Sequence, residues 1–191
     1  MENYSFFALT SRMKYINRWG LMRNTRSESL TEHCAETAIF AHALAVIGNK
    51  YFGKNYDENL VMAVAMFHDI TEVYTGDMPT PAKYFSQEMR SSYKEIEDKA
   101  AHKILSKLPK ELYDNYKNLI LCKDNDIYKL IKVADKLSAY LKCLEEQSCG
   151  NPEFSKALEY TKTALDSYDL PELKYFLDNF CDSFTKSLDE L

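Results

Sequence analysis

Glycine and proline are scarce in this chain, five of each in 191 residues. A strand-rich fold needs them at its many turns, with alternating β-branched runs between, and such alternation is nearly absent here. The sequence therefore points away from sheets and toward helices. No run of about 18 apolar residues occurs, so no membrane span is expected. The opening "MENYSFFALTSRMKY" lacks the basic start, apolar centre and small-residue cleavage site of a secretory signal. The five cysteines, at 34, 122, 143, 149 and 181, are odd in number and form no CxxC pair. That opposes a disulfide framework and fits reduced thiols in a cytoplasmic protein. A basic excess is missing too: 24 Lys and Arg against 29 Asp and Glu leave a formal net charge of −5. Such a balance argues against a surface that coats polymeric nucleic acid. It leaves room for a small anionic substrate, because a few local arginines override the net sign.

What is present is helical periodicity and enough apolar residues, 46% of the chain, to bury a substantial core. Phe6, Phe7, Leu9, Met13 and Ile16 suggest an amphipathic first helix, followed by the Arg-rich loop "NRWGLMRNTRSES". Ser29 with Glu32 fits a capping box that opens a second helix, "LTEHCAETAIFAHALAVIGNK", apolar nearly all round and so central. "ENLVMAVAMFHDITEVYTG" reads as a third helix ended by Gly76. Thr80–Pro81 looks like an N-cap with proline at the first helical position. A long polar helix is expected near 86–107, a shorter one after Pro109, and a strongly amphipathic one across "DIYKLIKVADKLSAYLKCLEEQ" up to Gly150. Pro152 and Pro171 each mark a further helix start. No repeat or linker divides the chain, which reads as one all-α domain spanning residues 1–191.

The chemistry concentrates in "AMFHDITEVYTGDMPTP", residues 65–81, where an apolar run ends in His68 and Asp69, then Glu72 and Asp77. His33 lies in the first turns of the second helix. His42 follows nine residues later, about 900° around a straight helix and so on its far side. His102 sits in a polar segment and is expected to face solvent. Neighbouring helical residues diverge by about 100°, so His68 and Asp69 can border one cleft without sharing a stripe. A mononuclear catalytic site needs three or four protein ligands and an open position. Spacing alone does not choose the remaining acid. Asp135, in "KVADKLSAY", borders an apolar helix face and can reach a cleft.

Taken together, His33, then His68–Asp69, then Asp135 resembles the H…HD…D pattern of the HD-domain metal-dependent phosphohydrolases. The stretches "INRWGLMRN", "LMRNTRSESLTEH", "FHDITEVYTGDMPTPAKYF" and "ADKLSAYLKCLEE" are similar, in order and spacing over nearly the whole length, to the bacterial HD-domain 5′-deoxynucleotidases. The resemblance implies a helical HD bundle in which His33, His68, Asp69 and Asp135 bind one divalent metal. Such a set suits Mn, Fe, Co, Ni or Zn without deciding among them. It also implies Glu72 in catalysis, orienting the attacking water or moving a proton, with Arg18 and Asp77 as further catalytic groups. Arg18 and Trp19 would stand beside the nucleotide, the guanidinium on phosphate and the indole crowding the 2′ position against ribose. His33, Asp69, Asp77, Met78, Pro79 and Thr80 would contact substrate, although Thr80 equally fits a plain helix cap.

The expected activity is hydrolysis of deoxyribonucleoside 5′-monophosphates to deoxynucleoside and phosphate, with weak base discrimination. A homodimer is implied by the resemblance. Hydrolysis of a nucleoside triphosphate or guanosine alarmone is the rival reading within the superfamily. A metal-stabilised interaction module without turnover is the rival outside it.

Overall fold

The computed structural model describes residues 3–83 and 85–191; Met1, Glu2 and Tyr84, the last from the "PTPAKYF" stretch, lie outside the described residues. Helix α1 (Phe6–Thr10) is short and runs on into a 3-10 turn over Ser11–Tyr15. It is less than the amphipathic helix expected: Phe6 and Met13 are buried, whereas Phe7 faces out. Next comes α2 (Leu30–Phe52), opened by the expected capping box. The Ser29 N–H donates to Glu32 Oε2 at 2.7 Å, and Glu32 N–H to Ser29 Oγ at 3.2 Å. Gly53, at φ +64, closes α2 in the left-handed conformation that glycine adopts without strain.

Helix α3 (Glu58–Met66) ends far earlier than its apolar periodicity predicts, and Glu72 begins a separate single turn, α4 (Glu72–Thr75). Between them the backbone tightens into i→i−3 bonds: Ile70 N–H to Phe67 O at 3.1 Å and Glu72 N–H to Asp69 O at 3.0 Å. That tighter winding keeps Phe67 and Ile70 on one side, where both pack into apolar surroundings. Helix α5 (Thr80–Lys83) begins one residue before the expected position. Its first turn is held by Pro79 O, which accepts from Ala82 and Lys83 N–H groups.

The rest follows the sequence closely: α6 (Gln87–Leu105) capped by Ser86, α7 (Lys110–Ile120) after Pro109, and α8 (Asn125–Ser148) capped by Asp124. Then come α9 (Ser155–Asp166), preceded by a 3-10 turn at Pro152, and α10 (Pro171–Phe180) with proline at its first position. Among the described residues there is no strand, and the antiparallel bridge between Asn17 and Ser29 closes a loop rather than a sheet.

Two apolar clusters meet at α2. The larger joins α2, α3, α8 and α10 through Leu44, Val61, Leu130, Leu137 and Phe176. The smaller gathers Phe6, Met13, Leu30, Cys34, Ile70 and Ile104 around the start of α2. Each fully buried leucine contributes about 1.5–3 kcal/mol. The expectation that α2 is apolar all round holds for its inner face, while Ile39 remains exposed. His33 stands where the two clusters adjoin, next to Cys34 of the smaller one.

Candidate active site

His33, on the first turns of α2, is fully buried and its Nε2 lies 3.2 Å from Asp135 Oδ1 of α8 and 3.7 Å from Asp69 Oδ2. His68 Nε2 lies 3.1 Å from the same Asp69 oxygen, and the two imidazole rings are 5.2 Å apart. One ligand atom from each of His33, His68, Asp69 and Asp135 falls within 4.8 Å of all the others. The early end of α3 makes this convergence possible. On an uninterrupted helix His68 and Asp69 would point about 100° apart. His42 lies outside the cluster and His102 is exposed, as expected.

The hydrogen bonds fix which nitrogens face inward. His68 Nδ1 donates to Ala65 O at 2.7 Å, which leaves Nε2 as the ring nitrogen that faces the acids. Around His33 Nδ1 stand Arg18 Nη1, Ser138 Oγ at 3.2 Å and Thr37 Oγ1 at 3.5 Å. The Nε2 atoms of both histidines are buried and, despite the nearby carboxylates, have no hydrogen bond of acceptable angle. Buried polar atoms normally have partners, so this pair of orphans calls for one.

Charges in the cluster follow from burial and neighbours. Burial and the Arg18 charge push His33 toward its neutral form. Burial opposes charge on His68 as well, but Asp69 overrides it and holds this imidazole protonated well above the ordinary histidine range. Burial would likewise neutralise Asp69 and Asp135. The histidines outweigh it, helped at Asp135 by Lys132, and keep both carboxylates ionised. Glu72, 7% exposed, goes the other way: burial first, then the charges of Asp69 and Asp77, push it up to about 9. Asp77 is also raised by burial, with Arg18 pulling against it. Burial tends to discharge Arg18, yet Glu28, Asp135, Asp69 and Asp77 together keep it cationic.

Arg18 and Trp19 sit on the loop that leads into α2. The loop is pinched by Arg18 N–H to Glu28 O at 2.9 Å and Leu30 N–H to Ile16 O at 2.8 Å. Trp19 has φ 57, the left-handed region that a bulky side chain rarely enters. Its ring packs on Phe154 at 5.3 Å, and the Arg18 guanidinium lies 5.7 Å above it. The Trp19 backbone N–H, like the Arg18 charge, favours the ionised form of Asp77 against its burial. Met78 and Pro79 continue from Asp77 partly exposed and Thr80 is exposed; among the described residues none of the three bonds to the cluster.

Several residues in this neighbourhood escaped the sequence reading. Glu28 binds both Arg18 and Trp19. Thr37 and Ser138 flank His33, and Lys132 presents a charge to Asp135 and Asp69, its own ammonium pushed up to about 12 against burial. Spacing offers a signal for three of them: Thr37 is four residues after His33, and Lys132 and Ser138 lie three on either side of Asp135. Glu28 carries no such signal.

Residues 5–184 match the family described as 5′-deoxynucleotidase YfbR-like. The chain belongs to the YfbR-like family. A 5′-deoxynucleotidase of Photobacterium profundum is 45% identical over 193 residues, covering 100% of both chains. The 5′-deoxynucleotidase YfbR of Escherichia coli O1:K1 is 45% identical over 196 residues, covering 100% of this chain and 97% of its own. Among solved structures, an HD-domain phosphohydrolase from Listeria innocua superposes with a TM-score of 0.83 at 21% identity, covering 96% of this chain and 90% of that one. The cyanophage S-2L HD phosphohydrolase superposes with a TM-score of 0.65 at 19% identity, covering 92% of this chain and 96% of its own. The all-α HD fold is thus common to both, and this YfbR-like protein is a phosphohydrolase of the 5′-deoxynucleotidase class.

Proposed function

We propose that this YfbR-like protein hydrolyses deoxyribonucleoside 5′-monophosphates to deoxynucleoside and phosphate, with one divalent metal held by His33, His68, Asp69 and Asp135. The observation that carries the reading is the pair of orphaned Nε2 atoms, buried and facing two ionised carboxylates. Two imidazole nitrogens and two carboxylate oxygens form a donor set that fits Mn, Fe, Co, Ni or Zn. When bound there, such a metal supplies an acidified water and Lewis-acid polarisation of the phosphoryl group. The cyanophage phosphohydrolase of the same fold is described bound to dA and one catalytic Zn2+ ion. That supports a single metal beside a deoxynucleoside.

The chain's own groups divide the remaining work. Arg18 is kept cationic by four acids and offsets charge on the phosphoryl oxygens. Glu72, whose proton is retained to about pH 9 without metal, gives or takes the proton that hydrolysis moves. Asp77 meets the substrate from the turn that faces Arg18. Trp19 stands against the 2′ carbon and disfavours ribose. Met78, Pro79 and Thr80 offer a stiff wall for the sugar, and His33 and Asp69 border the phosphate. Weak base discrimination is part of this reading, since the described residues proposed for substrate contact include no dedicated set of base-edge donors.

We further infer one catalytic domain acting as a cytoplasmic homodimer. The five cysteines are all free, and no described helix is long and apolar enough to cross a membrane. Tyr51, Phe52 and Phe180 form an exposed aromatic group around Tyr175, an apolar surface of the kind a second copy covers. Sedimentation of the purified protein as a monomer would remove the dimer.

The activity is tested by phosphate release from dAMP and AMP, using metal-stripped protein with Mn, Co or Zn restored. Release from dAMP, dependent on metal and far slower from AMP, is the expected result. Equal release from AMP would remove the sugar selectivity. Release from a nucleoside triphosphate or guanosine alarmone, but from neither monophosphate, would replace the substrate class.

A further inference from the structure

Trp19 is held at both its backbone and its ring. Its carbonyl accepts from Met22 N–H at 2.9 Å and Asn24 Nδ2 at 3.3 Å. Its indole Nε1–H donates to Glu28 Oε2 at 2.7 Å. The same carboxylate takes Arg18 Nη1 at 3.3 and 3.4 Å, and Glu28 itself is almost wholly buried. Its backbone is already tied to Arg18 through the Arg18 N–H, so the carboxylate has little freedom to follow another partner. The indole is thereby oriented by one acceptor that also orients the guanidinium.

We propose that Glu28 is the positioning residue for sugar selectivity: one buried carboxylate fixes the Trp19 indole against the 2′ position and the Arg18 guanidinium toward the phosphate. The assignment rests on the deoxynucleotidase reading above. It explains why a bulky residue is kept at positive φ, since rotating Trp19 out of that conformation would break the indole bond and the backbone bonds together. A carboxylate that merely neutralised Arg18 would have no reason to accept from the indole. Its loss would leave Trp19 in place.

The test compares the metal-loaded parent with Glu28→Ala and Glu28→Gln on dAMP and AMP, alongside tryptophan emission and melting temperature. Trp19 is the only tryptophan, so emission reads its surroundings directly. In Glu28→Ala both donors lose their acceptor. KM for dAMP should rise, and the ratio of kcat/KM for dAMP over AMP should fall by about tenfold to a hundredfold, the worth of one hydrogen bond to a charged acceptor. Emission should shift to the red and quench more readily with acrylamide. If Glu28→Ala fails to fold, Glu28→Gln carries the test. It keeps one acceptor oxygen but loses the charge and the second, so the ratio should fall by an intermediate amount.

Folded variants with the parent's selectivity and the parent's emission would overturn the proposal. A parent that cleaves dAMP and AMP equally would sink the sugar-selectivity reading instead. Emission would then still decide whether Glu28 anchors Trp19, with no shift in Glu28→Ala refuting the anchor as well.

Discussion

Replacing Glu72 by glutamine should stabilise the metal-free protein while disabling it. Glu72 opens α4 with its carboxyl buried and Oε2 without a partner, and its acid is raised from 4.5 to about 9. A carboxyl raised on folding keeps, in the folded state, a proton that the unfolded chain releases. The fold therefore weakens as pH climbs from about 4.5 to about 9. Each pH unit inside that window is worth about 1.4 kcal/mol, so the ceiling at pH 7.5 is about 4 kcal/mol.

Glutamine removes this pH-dependent penalty but keeps a buried amide that costs about 2 kcal/mol when imperfectly bonded. The net expectation is a gain of about 2 kcal/mol at pH 7.5, read as a melting temperature about 4–8 °C higher in chelator. The gain should close at about pH 6 and reverse by about pH 5, and it levels off only below about 4.5, where both states of the parent carry the proton. With metal present it should shrink, because the nearby cation favours the ionised acid that only glutamate can form. Phosphate release should fall about 10²–10⁴-fold. A gain of the same size at pH 5 and pH 8.5 would refute the electrostatic reasoning. Full activity in the variant would remove Glu72 from the proton path.

Other perturbations separate the parts of the site. Adding Mn or Zn to chelator-treated protein at about a hundredfold over Kd should stabilise it by about 2.7 kcal/mol, a rise that differential scanning fluorimetry would detect; Asp135→Ala should abolish the rise. Arg18→Lys keeps the charge but loses the planar fork, so KM for dAMP should rise about tenfold in steady-state assays, more than kcat falls. Glu146, 1% exposed, accepts from Thr25 N–H and Asn151 Nδ2 and pairs with Lys142; Glu146→Ala strands that lysine and should cost about 3–5 kcal/mol in urea melts. Against its burial, Lys142, Asn151 and Thr25 hold the Glu146 acid at about 2. Its contribution is therefore present above the ordinary glutamate range and lost as pH falls toward 2, a loss that Glu146→Gln should not show in acid titration of the fold.

Where local chemistry decides an element, it was legible beforehand. Ser29 with Glu32, Pro171 at a first helical turn and Gly76 after a last one each did what a cap or a breaker does. The metal-ligand candidates were legible because histidine is rare here and His68–Asp69 stands out. Asp135 came from the resemblance rather than from spacing. Glu28 was invisible for a different reason: its role depends on a loop whose two ends bridge at Asn17 and Ser29, and no helical period links it to Arg18 or Trp19. The Lys142–Glu146 anchor likewise joins the end of α8 to Thr25 and Arg26, more than a hundred residues away in sequence.

At the end of α3 a misread boundary and a feature of the candidate site are the same thing. Apolar residues continue past Met66 in a helical rhythm, so periodicity predicts that the helix runs to Gly76. In a continuing helix the Ala65 carbonyl would accept from the Asp69 N–H. Because the chain tightens at Phe67, that carbonyl takes the His68 backbone N–H at 3.3 Å instead, and its second lone pair takes His68 Nδ1–H at 2.7 Å. That second bond orients the ring so that Nε2 faces Asp69, and the tighter winding brings His68 and Asp69 to the same side as His33. Burial of Ile70 in the smaller apolar cluster holds the tightened turn in place. The helix is interrupted where its regular geometry would have pointed two adjacent candidate ligands apart, and the apolar residues around the break keep it there.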